Sequence, residues 1–302
     1  MQSPDSALAP RQGKQGPRGQ GHRRHRRTRR EPVVNAAAGL PAQCWIADRV
    51  QAASETVAEE VPVALSYDGI THAVMLASPM DLEDFAVGFS LGERIVRRAC
   101  DIHDLEIEET DQGIAIDMRI ASGAFMRFKE GRRARTGRTG CGLCGVESLA
   151  WFEDDAWTAA APGEALALAP GALHHAMAAL GMRQELHRAT GAVHAAGWAS
   201  LDGELQCMRE DVGRHNALDK LVGALARDGL DTRRGFAVVT SRASFEMVQK
   251  AARAGMPVLA AISAPTAMAV RLAERAGVTL AGFVRGDRHV VYSHPARLQR
   301  SY

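Results

Sequence analysis

The sequence predicts an α/β protein: a C-terminal layered domain with helices on both faces of a sheet, joined to a smaller N-terminal α+β domain. Three observations carry this. After residue 165, nearly continuous apolar strand runs alternate with amphipathic helical runs, the pattern of a parallel sheet covered on both faces. From 44 to about 128, strand-like runs surround one strong helical pattern. Between them, KEGRRARTGRTGCGLCG (129–145) has little apolar content, four arginines and five glycines, the composition of a flexible loop between domains. The divisions expected are 1–43, 44–128, 129–164 and 165–302.

Residues 1–43 are rich in Arg, Gly, Gln, Pro and Ala, with the block HRRHRRTRR at 22–30. Such a segment cannot bury enough apolar surface to offset its ordering entropy, so a disordered basic tail is expected. After the twin arginines, EPVVNAAAGLPAQCW has no sustained apolar core, and export is not expected. Residues 1–31 hold nine of the 37 Lys and Arg and two of the 35 acids, leaving 28 basic against 33 acidic residues in the remainder. The folded body is therefore mildly acidic, which argues against a nucleic-acid partner. No apolar run is long enough to span a bilayer, so no membrane partner is expected. The five cysteines, at 44, 100, 141, 144 and 207, lack the spacing of a disulfide framework and fit a reducing compartment.

In the N-terminal region VPVALSYDGI and THAVMLA predict two strands joined at Asp68-Gly69, a hairpin signal. SPMDLEDFAVGFSLGERIVRRA predicts a helix with Ser78 as cap, Pro79 in the first turn and Asp81 three residues after the cap. Its Leu82, Phe85, Ala86 and Phe89 recur at helical spacing and face the core. DLEIEE, GIAIDMRI and AFMRFKE read as further strands. In the C-terminal region ALAPGALHHAMAALGM predicts a helix ending at Gly181, and GAVHAAGWASL and GELQCMRED predict strands around the turn at Asp202-Gly203. VGRHNALDKLVGALARDG predicts a helix whose buried stripe is Leu218, Leu221, Val222 and Leu225. Three units follow: strand FAVVT with helix SFEMVQKAARAG, strand PVLAAIS with helix TAMAVRLAERAG, and strand VTLAGFV with turn RGDR and strand HVVYS.

Cys141 and Cys144 in TGCGLCGVE form a glycine-flanked CxxC. A zinc site needs four ligands, but Cys44, Cys100 and Cys207 are isolated, and His174 and His175 are neighbours on a helix that point apart; no metal is expected. A thioredoxin-type pair would sit where a strand opens a helix, not at the end of a loop. A persulfide carrier needs a thiolate on a mobile arm, and Arg132, Arg133, Arg135 and Arg138 would favour the anion. Residue chemistry alone leaves redox exchange and sulfur carriage open.

A second group sits where ligands bind in open α/β sheets, at the carboxyl ends of the strands. Ser241, Arg242 and Ser244 crown one strand, Ser263, Pro265 and Thr266 another, and FVRGDR adds Arg285 and Arg288. Helix capping accounts for Ser244 and Thr266 but not for the arginines, so a phosphate or nucleotide site is expected. None of these strand-to-helix junctions carries a GxGxxG or Walker loop. In REDVGRHNALDK, Asp211, His215 and Asp219 recur every four residues, and a solvated or ion-paired helix face is the expectation. His194, alone in an apolar strand, is read as a satisfied core histidine.

Taken together, GRTGCGLCGVE, TGAVHAA, REDVGRHNALDK, TSRASFEMVQKAARAG, SAPTAMAVRLAERAGVTLAGFVRGDR and VYSHPARL resemble the formate dehydrogenase accessory sulfurtransferase family (FdhD), from about residue 60 to the C-terminus. The resemblance implies a cytoplasmic sulfurtransferase. It would take sulfur from a cysteine desulfurase as a persulfide and deliver it to the bis(molybdopterin guanine dinucleotide) molybdenum cofactor of formate dehydrogenase. It implies Cys141 as the persulfide carrier with Cys144 its partner, and Phe283, Val284, Arg285, Gly286, Asp287 and Arg288 as the cofactor-binding segment. It also implies a C-terminal cytidine-deaminase-like α/β/α sandwich; a homodimer is expected. His194 begins HAA where a deaminase has His-x-Glu, so deamination is not expected. Two positions depart from the family pattern: Arg94, where many relatives have glycine, and Asp287, a negative charge beside the expected phosphate site. A dithiol oxidoreductase using the same cysteines and a non-catalytic cofactor chaperone are the alternatives.

Overall fold

The structure, a computed structural model, describes residues 35–133 and 166–299, the first stretch with side chains through residue 130. These residues form a mixed α/β fold with three sheets and seven α-helices. None of the described helices is long and apolar enough to cross a membrane.

The chain opens with a two-stranded antiparallel hairpin, β1 (Ala37–Ile46) and β2 (Arg49–Ala58). The expected tail of residues 1–43 thus overlaps β1 from residue 37. The four-stranded sheet follows, in the order β4-β3-β6-β5. β3 (Val61–Tyr67) and β4 (Ile70–Ala77) form the expected hairpin. Both turn residues take positive φ, 47° at Asp68 and 78° at Gly69, as a two-residue hairpin turn requires. β5 (Ile102–Thr110) and β6 (Gly113–Ile120) complete the sheet, with β6 parallel to β3. AFMRFKE is not a strand: it lies in helix α2 (Ser122–Arg133), where Ala124 and Phe128, one helical turn apart, are buried against the sheet. α2 also takes in residues 129–133, the start of the expected loop.

Helix α1 (Leu82–Gly92) buries Leu82, Phe85, Ala86 and Phe89 in the core of this sheet. Its expected cap is not at Ser78. Asp81 precedes the helix in a left-handed conformation, with no side-chain cap. Ser78 is instead fully buried and bonded to the C-terminal half of the chain, as described below.

The six-stranded sheet has the order β12-β11-β10-β9-β7-β8. Only its centre is parallel: β9 (Gly235–Val239), β10 (Val258–Ala261) and β11 (Thr279–Arg285). The three strand–helix units thus give the parallel arrangement expected of them, and the turns at Asp202-Gly203 and RGDR add antiparallel hairpin strands at the two edges. β7 (His194–Ser200) and β8 (Leu205–Asp211) join antiparallel on one side, and β12 (Arg288–Val291) on the other. Helix α3 (Pro170–Arg183) covers one face, packing Leu173, Ala176 and Leu180 against Phe236, Val238, Val258 and Ala260. α5 (Arg214–Arg227), α6 (Phe245–Arg253) and α7 (Ala267–Ala276) cover the other, over Ala237, Val239, Leu259, Ala261 and Leu280. Alternate residues of each central strand thus enter opposite cores, which explains their uniform apolarity. A short helix, α4 (Glu185–Thr190), leads from α3 into β7.

Two devices lock the halves together. α1 and α5 meet backbone to backbone: a Cβ on Gly88 would lie 1.7 Å from the Asp219 carbonyl oxygen, and one on Gly223 1.9 Å from that of Asp84. Around this contact Arg209 pairs with Asp84 at 2.7 Å and with Asp81 at 3.4 Å, and Arg227 pairs with Glu83 and Asp84. The second device is a buried polar network. Asp211 accepts from Lys220 Nζ at 2.7 Å, from the Ser78 N–H at 3.0 Å and from the Gly213 N–H at 2.7 Å. Lys220 also donates to the Ser78 carbonyl at 2.9 Å, and Asn216 to the Leu76 carbonyl at 2.8 Å. With neither side chain of the Lys220–Asp211 pair exposed, every partner is needed to offset desolvation.

Candidate functional site at the carboxyl ends of the central strands

The three parallel strands end side by side, and the residues that follow them meet. The loop after β9 carries Ser241, Arg242 and Ser244; the loop after β10 carries Ser263, Pro265 and Thr266. They are tied by Ala243 N–H to the Ala264 carbonyl (3.3 Å) and Thr266 N–H to the Ala243 carbonyl (3.0 Å). The end of β11 joins them through Phe283 N–H to the Ser263 carbonyl (3.2 Å) and Arg285 Nε to the Ile262 carbonyl (2.8 Å). Phe283 sits at φ 55°, a left-handed backbone unusual for an aromatic residue, within a bulge of the β11–β12 ladder. Gly282 has no room for a side chain, since a Cβ there would lie 2.9 Å from Pro265 Cδ. Arg288 lies 5.9 Å from the centre of the Phe283 ring.

All the strand-end residues expected from sequence are therefore brought together, in unequal roles. Arg242, Thr266, Arg285, Gly286, Asp287 and Arg288 are exposed, and the three arginines present their charge at the sheet's rim. Ser241 is buried, its hydroxyl donating to the Arg242 carbonyl at 3.0 Å. Val284 has no exposed surface and packs in the α3-side core, so it can offer a ligand only its backbone. Thr266 caps α7, accepting from the Ala269 N–H at 3.2 Å. Ser244 stands at the N-cap of α6 but does not cap it; its hydroxyl lies 3.3 Å from His215 Nε2.

That contact opens a polar cluster behind the loops. His215 Nε2 is 3.2 Å from Glu246 Oε2. Burial above all, then Arg214, Lys250 and Arg242, pushes the imidazole down to about 3, while burial pushes the Glu246 carboxyl up to about 7. At neutral pH the histidine is uncharged, so the contact is a hydrogen bond sharing one proton rather than an ion pair. Beneath it Lys250 donates to both oxygens of Asp219, at 2.8 and 2.9 Å. Burial opposes the ammonium, but Asp219 and Glu93 hold it charged. His194, half-buried at the start of β7, is lowered chiefly by burial and adjoins Thr240.

The helical face expected from Asp211, His215 and Asp219 is corrected accordingly. Asp211 ends strand β8 rather than lying on the helix; both aspartates are buried, and of the two expected states, solvated or ion-paired, they take the ion-paired one. Glu246 was not singled out from sequence, since its partner lies 31 positions earlier and no local pattern connects them. Cys141 and Cys144 lie outside the described residues. Cys44, Cys100 and Cys207 are free thiols, and burial raises that of Cys207. Among the described residues no group of three or more His, Cys, Asp or Glu side chains is arranged to hold a metal ion.

The sequence model of the FdhD/NarQ family matches residues 58–299, which contain the whole strand-end site. The chain belongs to the FdhD/NarQ family. Within the family it is 57% identical over 256 residues to the sulfur carrier protein FdhD of Cupriavidus necator, covering 84% of this chain and 88% of that protein. It is 56% identical over 245 residues to the protein of the same name in Bordetella parapertussis, covering 81% and 88%. A crystal structure described as a formate dehydrogenase accessory protein from Desulfotalea psychrophila superimposes with a TM-score of 0.69 at 25% identity, over 88% of this chain and 100% of the other. The family match takes in both halves and the segment that bears Cys141 and Cys144.

Proposed function

We propose that this protein is a sulfurtransferase that carries sulfur as a cysteine persulfide from a cysteine desulfurase to the bis(molybdopterin guanine dinucleotide) molybdenum cofactor, the acceptor substrate, for formate dehydrogenase. The observation that carries the proposal is the convergence of three loops at one end of the central strands, within a chain of the FdhD/NarQ family. Exposed Arg242, Arg285 and Arg288, with the first turns of α6 and α7, suit the pyrophosphate of a guanine dinucleotide. Asp287 is exposed on the same turn and need not face that group. The finer fold assignment belongs here too: the order β8-β7-β9-β10-β11, with β7 antiparallel to a parallel trio between helical layers, supports a cytidine-deaminase-like sandwich. The apolar residues Leu40, Trp45, Ile46 and Val50, exposed on the β1–β2 hairpin, support the expected homodimer. A cytoplasmic location is part of the same reading.

In the proposed chemistry the Cys141 thiolate attacks the terminal sulfur of the donor persulfide, and the desulfurase cysteine leaves as thiolate. The S–S bond of the donor breaks as that of Cys141 persulfide forms, with no net electron change. Delivery as sulfide requires two electrons. Attack of Cys144 on Cys141 sulfur supplies them, forming a Cys141–Cys144 disulfide and releasing hydrosulfide to the acceptor.

The test is incubation with a cysteine desulfurase and cysteine, followed by intact-mass measurement of wild type, Cys141→Ser and Cys144→Ser. One added sulfur that disappears in Cys141→Ser, with loss of formate dehydrogenase activity in cells carrying that variant, is expected. Activity retained in both serine variants would indicate a cofactor chaperone. Disulfide turnover without the sulfur adduct would indicate a dithiol oxidoreductase.

A further inference from the structure

A cleft of about 640 Å³ opens between the end of α1 with the segment after it and the helices α5 and α6. It is separate from the strand-end site. The strand ends face the first turns of α5 and α6, whereas the cleft is lined by Val222 and Ala226 of α5 and by Lys250 and Arg253 of α6, farther along each helix. We propose that this cleft binds a small phosphorylated organic anion, a role independent of the sulfurtransferase reading.

The lining is strongly cationic. Among the described residues Arg94, Arg97, Arg98, Arg127 and Arg253 reach it beside Lys250, which is paired with Asp219, the single lining carboxylate, and has Glu93 at 3.9 Å. Asp101 pairs with Arg98 at 3.1 Å. Among the described residues neither Arg97 nor Arg127 has a carboxylate within salt-bridge distance. Cations facing one concave space repel each other, and the walls concentrate their field, so an anion is the favoured occupant. Arginines approaching from three separate segments suit a group with oxygens directed in three dimensions, as in phosphate, better than a planar carboxylate.

The backbone gives a second sign. Arg94 follows Glu93, the C-cap of α1, and sits at φ 57°, with its N–H on the Leu91 carbonyl at 3.1 Å. Glycine is the favoured residue in that conformation, and a side chain there costs about 1 kcal/mol. The chain retains an arginine at this strained position, and that arginine lines the cleft. Leu91, Val96, Val222 and Leu230 form an apolar part of the wall, which calls for an organic body attached to the phosphate. The volume lies within the range of about 300–1,000 Å³ usual for small-molecule sites.

Calorimetric titration with inorganic pyrophosphate tests the charge recognition. It is done on the full-length protein carrying Arg242→Ala, Arg285→Ala and Arg288→Ala, which removes all three exposed arginines of the strand ends. Saturable binding in this background, weakened at least tenfold when Arg97→Ala and Arg127→Ala are added and weakened by salt, is the expected result. Phenyl phosphate should bind there at least threefold more tightly than inorganic phosphate. The assignment is overturned if the strand-end variant shows no saturable pyrophosphate binding, or if the added pair leaves the affinity unchanged. Equal affinity for phenyl and inorganic phosphate would overturn its organic part. Arg97 and Arg127 are exposed, and matched unfolding temperatures would show that the fold is intact.

Discussion

Gly88 of α1 and Gly223 of α5 lie against each other so closely that a Cβ on Gly88 would be 2.8 Å from the Gly223 nitrogen, and one on Gly223 2.9 Å from the Gly88 nitrogen. The obstructing atoms are backbone, so no side-chain rearrangement can make room. Gly223→Ala should therefore separate the helices and destabilise the protein by about 3 kcal/mol or more. Urea unfolding reads this directly; a midpoint within error of wild type would contradict the close contact.

The Lys220–Asp211 pair predicts an asymmetry. Lys220→Met leaves a buried carboxylate with only neutral donors and should cost about 3–5 kcal/mol. Adding Asp211→Asn removes the stranded charge, so the double variant should be more stable than Lys220→Met alone. Equilibrium unfolding of the three proteins checks the order; a double variant less stable than the single one would refute it.

His215 and Glu246 predict opposite pH dependences. The native imidazole titrates at about 3 against an ordinary 6.5, so the unfolded chain takes up a proton that the native state refuses. Its contribution to stability is present above pH 6.5 and is lost as pH falls toward 3. Between pH 6.5 and 5, His215→Asn should gain on wild type by about 2 kcal/mol. Glu246 titrates at about 7 against 4.5, so its contribution is present below pH 4.5 and is lost as pH rises to 7. Glu246→Gln should gain on wild type over that rise. Unfolding curves at a series of pH values measure both, and parallel profiles for wild type and variants would show that neither residue titrates as described.

The start of β1 at Ala37 sets where the N-terminus can be trimmed. Removing residues 1–34 leaves the whole β1–β2 ladder, whereas removing 1–43 takes away the pairs from Ala37↔Ala58 to Gln43↔Ala52. The shorter deletion should match the full chain in unfolding temperature. The longer one should expose β2 and reduce soluble yield. Equal behaviour of the two truncations would mean that the hairpin contributes nothing.

Much of this fold was legible in the sequence because its signals are local. Asp68-Gly69 marks its own hairpin, and the Leu218, Leu221, Val222 and Leu225 stripe marks α5. The misreadings have physical causes. AFMRFKE is short and aromatic, and its helical spacing rests on Ala124 and Phe128 alone. β1 contains Gly39 and Pro41 and buries no residue, so it has no apolar alternation to read; its order comes from pairing with β2. Ser78 followed the local rule for a cap, yet tertiary partners in Asp211 and Lys220 claim it. At the candidate site the loops could be named because each follows a strand. The His215–Glu246 contact could not, since only the packing of α5 beside α6 creates it.

The bond between the halves should make covalent continuity dispensable once the protein has folded. α1 belongs to the chain before residue 133 and α5 to the chain after 166, and they meet through paired glycines, ion pairs and a buried polar network. Cleavage between Arg133 and Leu166 should give two fragments that separate on a denaturing gel but elute as one species in native size exclusion. The same contact makes the protein suited to fragment complementation, with each half, expressed alone, lacking the surface that its partner covers.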